Sequence, residues 1–218
     1  MRKAANVEAV GSKRRWAMTR LALLAVLGAS VGACAPVFSE LQSARLVGVG
    51  RTEITPAATA NFHSGDGETS HIENHYGAQV ATGISDRTDI RVRYVRAPGV
   101  NVVGVGPKVS LMKDRVAVAM PVGFAFGSDI DVSQTWQIHP TLLFTQTLSR
   151  QAELNLSAKS LIRLEGGDTQ WGLDVGLGLG ELEGWVVRPE VGILFDPGEG
   201  GHFLQASLGF TRILGSRR

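Results

Sequence analysis

The 218-residue chain has a single cysteine, so no intramolecular disulfide can staple it. It also lacks an apolar run of about 20 residues, the length a helix needs to cross a bilayer. The most apolar stretch, Leu21 to Gly28, is far shorter. Charge is scarce, at 19% of residues, while glycine is plentiful at 27, a balance that suits closely packed strands more than disorder. No Walker loop and no zinc-like Cys/His spacing is present, which removes the common phosphate-loop and zinc readings. Gly48-Val49-Gly50, Gly104-Val105-Gly106 and Gly176-Leu177-Gly178 have the look of dinucleotide loops, but no helix follows any of them to receive a phosphate. Neither a composition shift nor an identity repeat divides the chain, so one large domain is expected.

The amino terminus is different in kind. Lys13, Arg14, Arg15 and Arg20 precede the apolar run, and small residues then lead to Cys34, the layout of an export signal. The stretch Met18 to Cys34 is compact enough for translation to start at Met18. Val31-Gly32-Ala33-Cys34 resembles a bacterial lipobox, which implies removal of residues 1–33 and a lipid on the Cys34 sulfur, and Ala35 lacks the aspartate of inner-membrane retention. Residues 1–33 hold six Lys or Arg and one acid, so their loss turns a net charge of +2 into −3. The basic excess belongs to the removed part and gives no warrant for nucleic-acid binding.

Residues 34–49 show neither period and are expected to be a lipidated tether, with a helical turn at most. From residue 50 to 214 the pattern is that of strands. In Gly184 to Phe195, Trp185, Val187, Pro189, Val191, Ile193 and Phe195 share one face, while Val186, Arg188, Glu190, Gly192 and Leu194 share the other. In Thr169 to Gly180, Trp171, Leu173, Val175, Leu177 and Leu179 oppose Gly172, Asp174, Gly176, Gly178 and Gly180. Eight further segments alternate likewise, 50–62, 72–84, 87–97, 101–111, 115–126, 135–147, 151–163 and 201–214, with a Gly-rich acidic loop expected over 63–71. An apolar face repeated strand after strand opposite glycine and isolated charge reads as a barrel turned inside out. The expected fold is therefore all-β, an antiparallel up-and-down transmembrane β-barrel of about ten strands, with residues 215–218 as a tail. Pro56, Pro107, Pro121, Pro140 and Pro189 each remove a ladder donor, and bulges are the expected means of accommodating them.

The inner face carries the one polar constellation: Glu53, His75, Arg91, Arg93, Lys108, Arg115, His139, Glu153, Lys159, Asp174, Arg188 and Glu190. A small barrel has little internal space, and charges kept from water must be paired, so these residues are expected to fill the lumen as ion pairs, Arg188 and Glu190 among them. The glycines of 169–180 lie across the hairpin from those two and would leave room for their side chains. An enzymatic alternative, action on membrane lipid, would recruit His139 with Thr141, Glu153 or Asp174, but Pro140 follows the histidine and no serine stands two residues beyond it. A periplasmic lipid-binding barrel is the third reading, separated from the first by reversed facing.

GPKVSL, TWQIHPTLLF and RPEVGILFDPGEGGHF, together with the leader, resemble small bacterial outer-membrane β-barrel proteins with a lipoprotein-type signal. The resemblance implies residence in the bacterial outer membrane and a non-enzymatic envelope or surface role, without a cofactor. A lipid on Cys34 in the inner leaflet would start the first strand at the periplasm and turn the longer acidic loops outward. Asp129, Asp131, Asp196 and Glu199 on those loops are weak candidates to share divalent cations with lipopolysaccharide. Outer-membrane lipid and lipopolysaccharide are thus the expected partners of a monomer.

Overall fold

A computed structural model describes residues 39–65, 67–130, 135–166, 169–195 and 201–215. The export signal, Cys34, Asp131, Asp196, Glu199 and residues 216–218 of the tail lie outside the described residues. Twelve strand segments form one sheet: β1 (Thr52–Gly65), β2 (Glu68–Ser85), β3 (Thr88–Ala97), β4 (Val100–Met112), β5 (Val116–Ala119), β6 (Val122–Gly127), β7 (Trp136–Ile138), β8 (Thr141–Ser149), β9 (Ala152–Arg163), β10 (Gln170–Gly180), β11 (Trp185–Phe195) and β12 (His202–Leu214). β5 and β6 are two halves of one stave, since both pair with β4; β7 and β8 are halves of the next, since both pair with β9. Ten antiparallel staves result, and pairing of β1 with β12 closes them into a barrel without an edge.

Burial runs opposite to that of a soluble sandwich. On β10, Trp171 is 59% and Leu173 53% exposed, while the inward Gln170 and Asp174 are buried. Lys108 and Glu153, both 0% exposed, point to the interior, whereas Val105, Leu142, Val191 and Leu208 point out. A surface that is apolar all round and an interior that is polar is the arrangement of an outer-membrane barrel, in which every backbone group must be satisfied within the wall. Among the described residues no helix is long and apolar enough to cross a membrane, so the crossing falls to the strands. Aromatics gather near both ends of the wall: Phe124 meets Trp136 edge to face toward one, and Arg212 lies 4.6 Å over the Trp185 ring toward the other. The fold is that of a transmembrane β-barrel, apolar outside and polar within.

Three expectations are corrected. The loop over 63–71 is mostly ladder, because β1 and β2 stay paired out to Gly65 and Glu68. Arg115 sits exposed in the turn after Met112 and is not a lumen residue. The prolines are absorbed without bulges. The described bulges fall at Asn61/Phe62, Gly83/Ser85, Ser110/Met112 and Thr147/Ser149, none at a proline. Instead the ladder lapses and resumes in the same register, as at Thr55 and Pro56 on the β12 side, where the Thr55 and Thr211 hydroxyls hydrogen-bond at 2.8 Å. Pro107, Pro121 and Pro140 stand on three successive staves, and two of them make the breaks that split β5 from β6 and β7 from β8. Their carbonyls still accept, from Met120 N, His139 N and Ser160 N at 3.0, 2.9 and 3.0 Å. Only donors are lost. A Cβ on Gly106 would lie 2.3 Å from Pro121 Cα, so glycine is what lets β4 approach this seam.

Candidate functional site

The inner face of a strand alternates with the outer, so each lumen residue is delivered by its parity along the wall. Five carboxylates and five cations meet there in defined pairs. Arg91 Nη1 lies 3.0 Å from Glu53 Oε1, Lys108 Nζ 3.5 Å from Asp89 Oδ2, Lys159 Nζ 3.0 Å from Asp174 Oδ2, Arg188 Nη1 3.0 Å from Glu153 Oε1, and Arg93 Nη2 3.1 Å from Glu40 Oε2. Asp174 also accepts from Ser157 Oγ and, at 2.6 Å, from Gln205 Nε2. Charges this deeply buried persist only where hydrogen bonds replace water, and here most of their polar atoms have one, Asp89 Oδ1 and Arg91 Nε being exceptions.

Glycines make the space. A Cβ on Gly178 would lie 2.7 Å from Glu153 Cγ, one on Gly172 2.9 Å from Lys159 Cε, and one on Gly176 3.4 Å from Glu190 Cβ. The room opposite Arg188 is thus used by Glu153, reaching from β9 across the bare Gly178 of β10 to Arg188 on β11. Arg188 and Glu190 do not pair with each other. They are two apart on one strand; Arg188 pairs with Glu153, and Glu190 accepts main-chain amides instead.

Glu190 takes main-chain amides. Its Oε1 accepts from Glu40 N at 2.7 Å and its Oε2 from Leu41 N at 2.8 Å. The described part of the expected tether, residues 39–49, in fact lies inside the barrel and has no helical turn. Val49 bridges Gly83 at the rim where β1 begins. From there the segment climbs: Val47 N donates to Asp89 Oδ2 at 2.9 Å, Ala44 N to Thr145 Oγ1 at 2.7 Å, and Glu40 reaches Glu190, whose partner Ser207 is paired with Thr59 in the middle of β1. Carbonyls are met as well. Lys108 Nζ donates to Ser43 O at 3.1 Å and to Arg45 O, and Gln79 Nε2 to Glu40 O at 3.0 Å. Ala44, 0% exposed, packs with Ala117, Ala119 and Leu143. Arg45 Nε donates to Glu153 Oε2 at 2.9 Å, so Glu153 serves two arginines.

The segment could not be seen from periodicity because it obeys none; its amides go to side chains instead of to a helix or a ladder. Asp89 could have been found, since it shares parity with Arg91 and Arg93. Among the described residues, cavities of about 40 Å³ beside Ser39, His75 and Arg93 and about 20 Å³ beside Gln42, Arg91 and His139 hold a few waters at most, whereas an open hollow of about 520 Å³ is bordered by Thr59, Tyr76, Pro189, Glu190 and Ser207.

The residues of the enzymatic alternative are not assembled. His139 Nε2 hydrogen-bonds Gln137 Oε1 at 3.0 Å, and Thr141 Oγ1 donates to the His139 carbonyl, while Glu153 and Asp174 are engaged by cations. His75 Nε2 lies 2.7 Å from Glu73 Oε1, apart from the main network. No group of three or more metal-ligating side chains occurs among the described residues, and Asp129 sits exposed after β6.

No family model matches the sequence, and no curated protein matches it. Solved structures are similar in fold. The translocator domain of the autotransporter NalP from Neisseria meningitidis is 10% identical, covering 74% of this chain and 87% of its own, with a TM-score of 0.40. Neisserial surface protein A, also 10% identical, covers 75% and 98% with a TM-score of 0.37, and the attachment invasion locus protein Ail of Yersinia pestis, 10% identical, covers 76% and 99% with a TM-score of 0.35.

Proposed function

We propose that the protein is a non-enzymatic, monomeric outer-membrane lipoprotein whose lumen is closed by its own segment Ser39 to Val47, and that it serves the envelope or cell surface and is not a channel. The observation that carries this reading is the set of four consecutive grips on the segment's amides, at Glu190 twice, Thr145 and Asp89. Each replaces water on a main-chain donor, so the closed arrangement costs no unsatisfied amide at those positions. The export signal and Cys34 supply the lipid, and Cys34→Ala is expected to abolish labelling by a fatty-acid analogue; equal labelling would overturn the lipid.

The two rims support a surface role. Glu68, Asp129 and Glu165 are exposed at the end of the wall opposite the start of β1, whereas Arg87, Lys113, Arg115 and Arg150 are exposed in the turns at the other. An acidic rim beside outer-leaflet phosphates favours bridging divalent cations, with lipopolysaccharide as the partner. Conductance tests the closed lumen. Purified protein in a planar bilayer is expected to show no steady open current, and deletion of residues 39–47 is expected to produce one. A large steady current from the intact protein would overturn the reading.

A further inference from the structure

The grips on residues 39–47 fall mostly on groups that every peptide has. Glu190, Thr145 and Asp89 take N–H donors, and Gln79 and Lys108 take carbonyls. Side chains are read at three places. Arg93 meets the Glu40 carboxylate, Glu153 meets the Arg45 guanidinium, and the fully buried Ala44 methyl packs against Ala117, Ala119 and Leu143. We propose that the lumen is a binding site for a peptide that follows the segment's path, turning at Leu41 (φ +48°) and bending at Ala44 and Arg45, selective for an acid, a small residue four positions later and a basic residue next to it, and that residues 39–47 are its resident ligand.

Several features separate this from an ordinary packed interior. A wall evolved only to fill itself pairs its own charges, as Lys159 does with Asp174. Among the described residues no cationic side chain is hydrogen-bonded to Glu190, which is aimed at two successive amides, an arrangement that is useful when a chain runs past. Lys108, buried at 0% exposure, likewise divides its protons between Asp89 and two segment carbonyls. The hold is many weak contacts along one short segment, so it depends on the segment being joined to β1, which supplies a high effective concentration at no cost in contacts. Such a ligand can be exchanged once that link is cut.

This inference rests on the closed-lumen reading, and the test separates the two. A protease site is inserted after Val49, which is exposed at the rim next to Gly50, and the full barrel is cut in detergent. A fluorescent synthetic peptide of residues 39–47, SELQSARLV, is then offered to it. Saturable binding is expected, together with competition by the unlabelled peptide. Peptides N-methylated at Leu41 or Ala44, or carrying Ala44→Trp, are expected to bind about tenfold weaker or worse, because each loses a donor to a buried acceptor or meets the alanine wall. Ala44→Gly is expected to bind within a few-fold. Equal binding of all peptides, or none to a cut barrel that keeps its heat-modifiable gel shift and has released its own segment, would overturn the peptide site. Retention of the cut segment through washing and competition would also overturn exchange. If the intact protein conducts, the closed-lumen reading itself falls, whatever the peptides do.

Discussion

The wall formed by β9, β10 and β11 and the wall formed by β5 to β8 solve the same problem by different means. On the first, the inner face carries Glu153, Lys159, Asp174, Arg188 and Glu190, with glycines placed so that long side chains can lie across a neighbouring strand. The second is built on Ala117, Ala119, Gly123, Ala125 and Leu143 inside, together with the uncharged polar Gln137, Thr141 and Thr145 and with His139, and it is cut twice at proline. Segment 39–47 spans the gap, giving Arg45, Glu40 and Leu41 to the charged wall and Ala44 to the alanine wall. A barrel of this size thus need not fill its lumen symmetrically. Where the wall supplies charge, side chains bridge strand to strand; where it supplies methyl groups, a separate strand of chain fills the space.

The comparison is broken most severely at Glu153. It is the one acid serving both Arg188 and Arg45, at 3.0 and 2.9 Å, and its side chain is 1% exposed. Glu153→Ala leaves Arg188 buried with the Thr211 hydroxyl as its remaining hydrogen-bond partner among the described residues, and stability is expected to fall by about 3–5 kcal/mol. Urea unfolding in detergent micelles or liposomes measures it. A loss under about 1 kcal/mol would mean that water reaches this wall and that the two walls differ less than their side chains suggest.

Much of this was legible from alternation. The facing of Trp171 to Leu179 against Gly172 to Gly180 follows from period two alone, and the same parity delivers Arg91, Lys108 and Arg188 to the lumen. Partners were not legible. Arg188 meets Glu153 across 35 residues of sequence and an intervening strand, and nothing local selects it over Glu190, two residues away. The breaks at Met120-Pro121 and His139-Pro140 were visible as prolines, but whether a proline forces a bulge or a lapse depends on the next strand's approach, which Gly106 sets for Pro121. Segment 39–47 was illegible for a deeper reason. Its conformation is dictated by tertiary grips on its main chain, and side-chain pattern carries no trace of those.

A sharper test uses Gly178. Its added Cβ would press on Glu153, which two arginines hold in place and which cannot swing aside without losing one of them. Gly178→Ala is expected to cost about 1–3 kcal/mol. Combined with Glu153→Ala, the added cost should largely vanish, since the group it presses on is gone, a non-additivity read by a double-mutant cycle. Additive losses would place the glycine's role in the backbone and not in making room.

The smallest effect is expected on the alanine wall, at Pro121. The proline has already cost β5 and β6 their continuity, and its carbonyl is used by His139 N at 2.9 Å. Pro121→Ala restores an N–H donor at a place where the ladder to β4 lapses, between Val105 paired with Val122 and Lys108 paired with Ala119. The gain of a possible ladder bond is offset by the greater freedom of the unfolded chain, so the net change is expected to stay within about 1 kcal/mol. Gly106 keeps the approach open in either case, because the added group replaces ring atoms already accommodated there. A loss of 3 kcal/mol or more would show that the break itself is structural, holding the two half-staves at the angle that lets Ala117, Ala119 and Leu143 close on Ala44. The alanine wall would then owe its fit to proline as much as the charged wall owes its own to glycine.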